Sequence, residues 1–238
     1  MIGPLVNASA IICGSLLGTL FGNKISNSMK ERMPMVFGLA SMGIGLSMAI
    51  KVKLLPAVVL SLILGAIIGE LIHLEENIKR VANMLKSLIT RFVSPPNSSM
   101  EQNAYMDRFI SILILFCVSG TGIFGSMNEG MTGDPSLLIV KSFLDFFTAA
   151  IFAITLGLPV ATLAIPQTLV QVILYFSANA IMPLTTPTMI ADFSAVGGLL
   201  VFATGFRICG SINFPLANLL PSLIIAMPIS ATWLEFAA

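Results

Sequence analysis

The chain has 238 residues, 56% hydrophobic and 10% charged, with a mean hydropathy of +0.98. A soluble domain carries about 25% charged residues to cover its outside, so this composition excludes an ordinary water-soluble fold and predicts an all-α integral membrane protein. A net charge of +1 provides no field that would attract nucleic acid.

A helix needs about 20 apolar residues to cross the hydrocarbon core, and about eight stretches meet that need. The first covers residues 4–22. No basic segment precedes it and a second span follows, so it is expected to remain a helix rather than to be removed as a signal. Gly14, Gly18 and Gly22 recur every fourth residue along it. Such a ladder forms a groove for close helix approach, either within one chain or in a homodimer through glycine-lined helices. The second stretch, 34–50, is short. The third, 54–72, repeats the spacing with Gly65 and Gly69, and Glu70 near its inner end is expected to reach the interface. The joins at 51–53 and 157–159 are tight, so seven spans plus a re-entrant segment is the alternative count.

Residues 73–108 form the long loop. Leu74, Ile78, Val81, Leu85, Leu88 and Phe92 recur at helical spacing, and Lys79, Arg80 and Lys86 supply a charged side. That pattern predicts an amphipathic helix at the inner membrane surface. It either joins two bundles or binds a partner. The following SPPNSSMEQN reads as a linker. The chain thus divides into a three-span unit (1–72), a cytoplasmic segment (73–108) and a five-span unit (109–238).

Span four, 109–127, holds Gly120, Gly122 and Gly125 in G-x-G-x-x-G spacing, with Asp145 about twenty residues further on, the outline of a dinucleotide fingerprint. Such a loop requires a strand, a helix start open to water and a soluble α/β unit. A membrane span followed by another span offers none of these, so the spacing is read as coincidental. Its glycines are expected to thin the span so that a charged neighbour can approach. In the polar loop NEGMTGD expected to follow, Asn128, Glu129 and Asp134 offer oxygen ligands, while Gly130 and Gly133 permit sharp turns. The ligand spacing excludes an EF-hand. Asp134, before Pro135 and Ser136, is also placed to cap span five.

Span five, 136–157, carries Lys141 and Asp145 four residues apart, on one helix face. Asp145 lies roughly 14 Å from the outer end at a rise of 1.5 Å per residue, near the midplane. Burying an ionisable group in a membrane costs at least about 2.5–3.5 kcal/mol. Lys141, Asp145 and Arg207 of span seven are therefore the leading site candidates. The pair either neutralises itself and locks two helices, or forms a solute or proton site with Arg207 left to hold an anion or carboxylate.

Span six, 158–181, contains Pro159, Pro166, Gln167 and Gln171, and PLTTPTMIAD follows it. Proline removes helix hydrogen bonds, and Thr185, Thr186 and Thr188 could satisfy the freed groups. The stretch is either a broken segment ending near Asp192 that lines a cavity, or an extracellular turn. Spans seven and eight cover 193–210 and 214–233. Asn218, before Pro221, is a further candidate.

Lys24, Lys30 and Arg32 fall in the first loop and Lys79, Arg80, Lys86, Arg91 and Arg108 in the third; Lys51 and Lys53 fall on the opposite side. The cation bias places the first and third loops in the cytoplasm and, with eight spans, both termini outside. Laying 38–64 over 198–224 matches Gly38 with Gly198, Leu39 with Leu199, Gly45 with Gly205, Ala57 with Ala217 and Leu60 with Leu220. Spans two and three would then relate to seven and eight with inverted topology, an arrangement of many secondary transporters.

Enzyme signatures are missing: there is no H-E-x-x-H, G-x-S-x-G, S-x-x-K or Walker sequence. The single histidine is His73, and Cys13, Cys117 and Cys209 sit in apolar runs. No catalytic residue, cofactor or metal is expected.

The stretches SGTGIFGSMNEGMTGDPSLLIVKSFLDFFTAAIFAITLG, LTTPTMIADFSAVGGLLVFATGFRICG, FPLANLLPSL and MIGPLVNASAIICGSLLG closely resemble the bacterial YqgA/YdfK family of uncharacterised membrane proteins, nearest its YqgA branch. The resemblance spans essentially the whole chain. It matches Glu129, Gly130, Gly133, Asp134, Lys141, Asp145, Gly197, Gly198 and Asn218, and implies a multi-span protein of the bacterial inner membrane. It implies no substrate.

The sequence thus predicts a transporter or channel for a small solute or ion in the lipid bilayer. Its pathway candidates are Lys141, Asp145, Arg207, Glu129, Asp134, Asn128, Gln171, Asp192 and Asn218. A non-transporting scaffold or sensor acting through the basic interfacial helix is the alternative, and a carboxylate-based membrane enzyme a further one.

Overall fold

A computed structural model describes residues 1–21, 24, 26–84, 102–212 and 214–237. Their secondary structure is helical throughout, because in lipid each backbone N–H and C=O must find its partner within its own segment. The helices are α1 (Gly3–Phe21), α2 (Asn27–Ala49), α3 (Leu55–Leu71), α4 (Leu74–Met84), α5 (Gln102–Cys117), α6 (Gly120–Thr132), α7 (Ser136–Leu156), α8 (Ala164–Ile181), α9 (Pro187–Ile208), α10 (Leu216–Leu219) and α11 (Pro221–Ala237). Short 3-10 turns at Leu158–Leu163 and Met182–Leu184 flank α8.

Among the described residues, six stretches are long and apolar enough to span a membrane: Gly3–Phe21, Ala104–Thr132, Ser136–Leu156, Leu158–Leu184, Pro187–Ile208 and Leu216–Phe236. The pair α3 and α4, bent by 47°, passes the same test only together, as a broken span that brings the count to seven or as a re-entrant loop. The stretch expected as span two is α2. Its first turns hold Lys30, Glu31 and Arg32, which leaves an apolar part shorter than ~20 residues. The amphipathic helix is described as α4, Leu74–Met84; its expected continuation to Phe92 and the linker after it fall largely outside the described residues.

Several spans are interrupted. Span four breaks between α5 and α6 at Val118 and Ser119, where the Ser119 side chain accepts the Gly122 amide and starts a new helix. Span six opens as a 3-10 turn after Gly157, whose φ of 72° suits glycine. Span eight breaks between α10 and α11. Of the PLTTPTMIAD stretch only residues 183–186 form a turn, and the rest opens α9. Thr186 caps α9 by accepting the Met189 amide, and Asp192 lies inside that helix rather than at the end of a re-entrant segment.

Packing divides the chain into two compact units that are each discontinuous in sequence: Met1–Met33 with Ile78–Phe176, and Pro34–Asn77 with Ser177–Ala238. A division at 72 and 108 follows covalent order, whereas these units follow contact. In the first unit α1 lies along α7, Gly14 against the Phe146 carbonyl and Gly18 against that of Ala150. Both numbers rise together, so the helices run parallel. A Cβ at Gly14 would stand 2.1 Å from the Phe146 oxygen, so only glycine permits this approach. Ile11, Tyr105, Phe116, Ala153, Leu156 and Leu163 form the core beside it, and the Tyr105 hydroxyl donates to the Leu156 carbonyl at 2.9 Å.

In the second unit Gly38 faces Gly205 and Gly45 faces Gly198, so α2 and α9 run antiparallel. Gly65 faces Ser222 and Gly69 faces Asn218, so α3 runs antiparallel to α10 and α11. The glycine ladders therefore serve packing within each unit. Gly22 lies outside the described residues.

Candidate functional site

The most polar buried locus of the first unit is built on α1, α7 and α8. Lys141 and Asp145 lie one turn apart on α7, and the lysine ammonium donates to Asp145 Oδ2. Asp145 is the tenth residue of this 21-residue helix, hence about 14 Å from its start at 1.5 Å per residue. Asn7 Nδ2, from α1, donates to the same Oδ2 at 2.8 Å, and so does Gln167 Nε2, from α8, at 2.8 Å. Gln167 Nε2 also donates to Asn7 Oδ1, as does Gln171 Nε2 at 2.8 Å. All five residues are buried, Asp145 the most open at 7%.

Each helix contributes for a local reason. On α8, Gln167 and Gln171 are four apart and share a face. Pro166 stands in the first turn of that helix, where its missing N–H costs nothing. The Lys141 ammonium lies over the Phe116 ring, 5.8 Å from its centroid. The Lys141 stem runs past Gly122, where a Cβ would come within 2.7 Å of Lys141 Cε. Gly122 belongs to the G-x-G-x-x-G stretch, so one of its glycines makes room for the charged neighbour. The stretch does open a helix, at Gly120, but inside a membrane span and with no strand before it.

Removing a carboxylate and an ammonium from water costs several kcal/mol per ion, offset only by good geometry and further hydrogen bonds. Here two amides supply those bonds. Even so, Gln167 Oε1 and Gln171 Oε1 are buried without a hydrogen-bond partner.

The other candidates are placed elsewhere. Glu129 sits on α6, in a segment expected to be loop, and is 2% exposed. Its Oε1 accepts the Ile2 amide at 2.7 Å and its Oε2 the Gly3 amide at 3.1 Å, satisfying the orphan donors at the start of α1. Asn128 also lies on α6, hydrogen-bonded to Thr132. The loop proper begins at Gly133, whose φ of 77° ends the helix. Asp134 is exposed and accepts the Ser136 amide at 3.0 Å, where α7 starts.

In the second unit Asp192 Oδ1 accepts the Lys53 and Leu54 amides, both at 2.9 Å, and its Oδ2 accepts the Ser230 hydroxyl at 2.6 Å. It thus anchors the start of α3, much as Glu129 anchors α1. Asn218 donates to Glu70 at 2.6 Å and accepts the Glu75 amide at 2.8 Å. Arg207 pairs with Glu75 at 3.4 Å. Arg207 therefore belongs to this second cluster, not to the set around Asp145, because the last turn of α9 packs in the other unit.

Of the expected pathway residues, Lys141, Asp145 and Gln171 come together. Asn7 was not among those candidates, though an Asn within an apolar span is itself a signal of cost. Glu75 could not be singled out from a charged surface helix.

A family described as "Protein of unknown function (DUF554)" matches residues 2–231. The chain is 49% identical over 233 residues to "Uncharacterized protein YqgA" of Escherichia coli (strain K12), covering 98% of this chain and 97% of that protein. It is 26% identical over 230 residues to "Uncharacterized membrane protein YdfK" of Bacillus subtilis (strain 168), covering 94% and 93%. No solved structure matches the chain significantly.

Proposed function

Since this chain belongs to the DUF554 family, whose description assigns no activity, we propose from its own geometry that it is a transporter or channel for a small solute or ion in the bacterial inner membrane. The observation that carries the reading is the buried Lys141–Asp145 pair halfway along α7, held by Asn7, Gln167 and Gln171. Ionisable residues at that depth are costly, and transporters use them as solute or proton sites. The interruptions at Ser119 and Gly157 support the same reading, because discontinuous helices commonly form transporter sites near the midplane. The antiparallel pairings of α2 with α9 and of α3 with α10 and α11 support an inverted repeat. Arg207 plays no part in this version of the site.

The test is flux into liposomes containing the purified protein, across a panel of ions and small solutes. Transport of at least one is expected, with a large loss in Asp145→Asn. Flux of none across a broad panel, or unchanged flux in Asp145→Asn, would count against the proposal. A scaffold or sensor working through the interfacial helix predicts the reverse. Removing residues 73–92 would then abolish function, while Lys141 and Asp145 would tolerate paired apolar replacement.

A further inference from the structure

We propose that ordered water reaches the Asp145 network along one face of α8, with Tyr175 at the entrance and Gln171 and Gln167 as successive acceptors. The inference deepens the transport reading by naming the route to its site. Its test reads water rather than flux, so the two can fail separately.

The first support is a shortfall of hydrogen bonds at depth. Gln167 and Gln171 are 1% and 2% exposed, and among the described residues neither Oε1 has a hydrogen-bond partner. Turning the amides does not help. Gln167 Nε2 is committed to Asn7 Oδ1 and Asp145 Oδ2, and Gln171 Nε2 to Asn7 Oδ1. Asn7 is fixed in turn, because its Nδ2 donates to Asp145 Oδ2 at 2.8 Å. Exchanging oxygen and nitrogen on either glutamine would set oxygen against oxygen. A buried acceptor left without a donor is costly, and proteins commonly meet that need with buried water. Each oxygen takes its own donor, so the two need not point to a common centre.

The second support is where the polar residues of α8 stand. Gln167, Gln171 and Tyr175 recur every fourth residue, forming a polar stripe that winds slowly around the helix. Each step of four residues is about 6 Å along the axis, a gap that one or two hydrogen-bonded waters cover. Burial rises along the stripe, from half-buried Tyr175 to the fully enclosed glutamines. The opposite side of the helix is apolar: Ile165, Leu169 and Ile173 are 73%, 60% and 56% exposed, as lipid-facing residues are. The stripe ends at the ion pair, where Gln167 Nε2 donates to Asp145 Oδ2 at 2.8 Å.

The polar end of α6 is not a second route. Glu129 is 2% exposed, and both of its carboxylate oxygens accept amides at the start of α1.

The experiment places single cysteines on α8 in a chain whose Cys13, Cys117 and Cys209 are replaced by serine or alanine. Their reaction with a small water-soluble thiol reagent is followed in proteoliposomes. The reagent attacks the thiolate, a charged form that water supports and lipid does not. Gln171→Cys and Tyr175→Cys should react several-fold faster than Leu169→Cys and Ile173→Cys. Adding Gln171→Leu should slow Gln167→Cys several-fold and leave Tyr175→Cys unchanged, because it removes the acceptor between the entrance and position 167. Reaction no faster at 171 and 175 than at 169 and 173 overturns the proposal. So does a Gln167→Cys rate that Gln171→Leu does not change. The unaltered protein supplies a measurement that no folding defect can obscure. Hydroxyl radicals generated in water should oxidise Tyr175 in nanodiscs and spare its neighbour Phe176, which is 60% exposed on the lipid side. An unmodified Tyr175 overturns the route. Solute flux together with an unlabelled α8 stripe would overturn the route and leave transport standing. A labelled stripe without flux would support the route and count against transport.

Discussion

Lys141 and Asp145 are neighbours on one helix face, and that much follows from their spacing of four. Their surroundings do not. Asn7 lies 138 residues away from Asp145 along the chain and Gln167 lies 22 away, and both donate to the same carboxylate oxygen. Gln171 was readable as a polar residue in a span. Its role as a second donor to Asn7, 164 residues away, was not. The same residues make the pair's stability testable. Removing one partner of a buried ion pair leaves the other uncompensated, at about 3–5 kcal/mol, whereas replacing both is far milder. Lys141→Met alone is therefore expected to lower the melting temperature in detergent more than Lys141→Met combined with Asp145→Leu. A double variant as unstable as the sum of the singles would show that the two residues are not coupled.

Among the helices, the small-residue pattern in α1 predicted close packing, and the partner proved to be α7. A substitution series separates helices held by such contact from helices that merely contain glycine. Gly14→Ala puts a Cβ 2.1 Å from the Phe146 carbonyl oxygen, a backbone atom that can yield only if α1 moves away. Overpacking of this kind typically costs about 1–3 kcal/mol or more. Gly43 in α2 has open space where its Cβ would lie, and Gly43→Ala should be neutral or gain up to about 1 kcal/mol from helix propensity. Thermal unfolding in detergent would measure both. The starts of α1 and α3 follow a shared logic that sequence did not reveal. Each is held by a buried carboxylate, Glu129 or Asp192, accepting consecutive backbone amides. Helix-starting amides leave orphan donors that water cannot satisfy in a membrane. Glu129 looked like a loop acid because Asn128–Thr132 is polar, yet it continues α6 as far as Gly133.

For the molecule as a whole, the bias of lysine and arginine between loops gives an expectation independent of packing. With eight spans both termini lie outside, so reporter fusions at the two ends should give the same, external, signal. Opposite signals would require an odd number of crossings. The parallel run of α1 and α7 agrees with both entering from one side, since three crossings separate them in that count. The amino-acid sequence by itself determined the membrane class, the helical state and most span positions, because lipid forces every backbone polar group into local hydrogen bonds and requires long apolar runs. Only the tertiary structure decided which helices share a unit. The chain leaves its first unit at Met33, returns at Ile78 and leaves again after Phe176. The physical reason is that lipid tails are as apolar as the helices they surround, so apolar faces do not by themselves select a partner. Selection falls to small-residue fit and polar matching, which depend on the three-dimensional register that brings Asn7, Asp145 and Gln167 together.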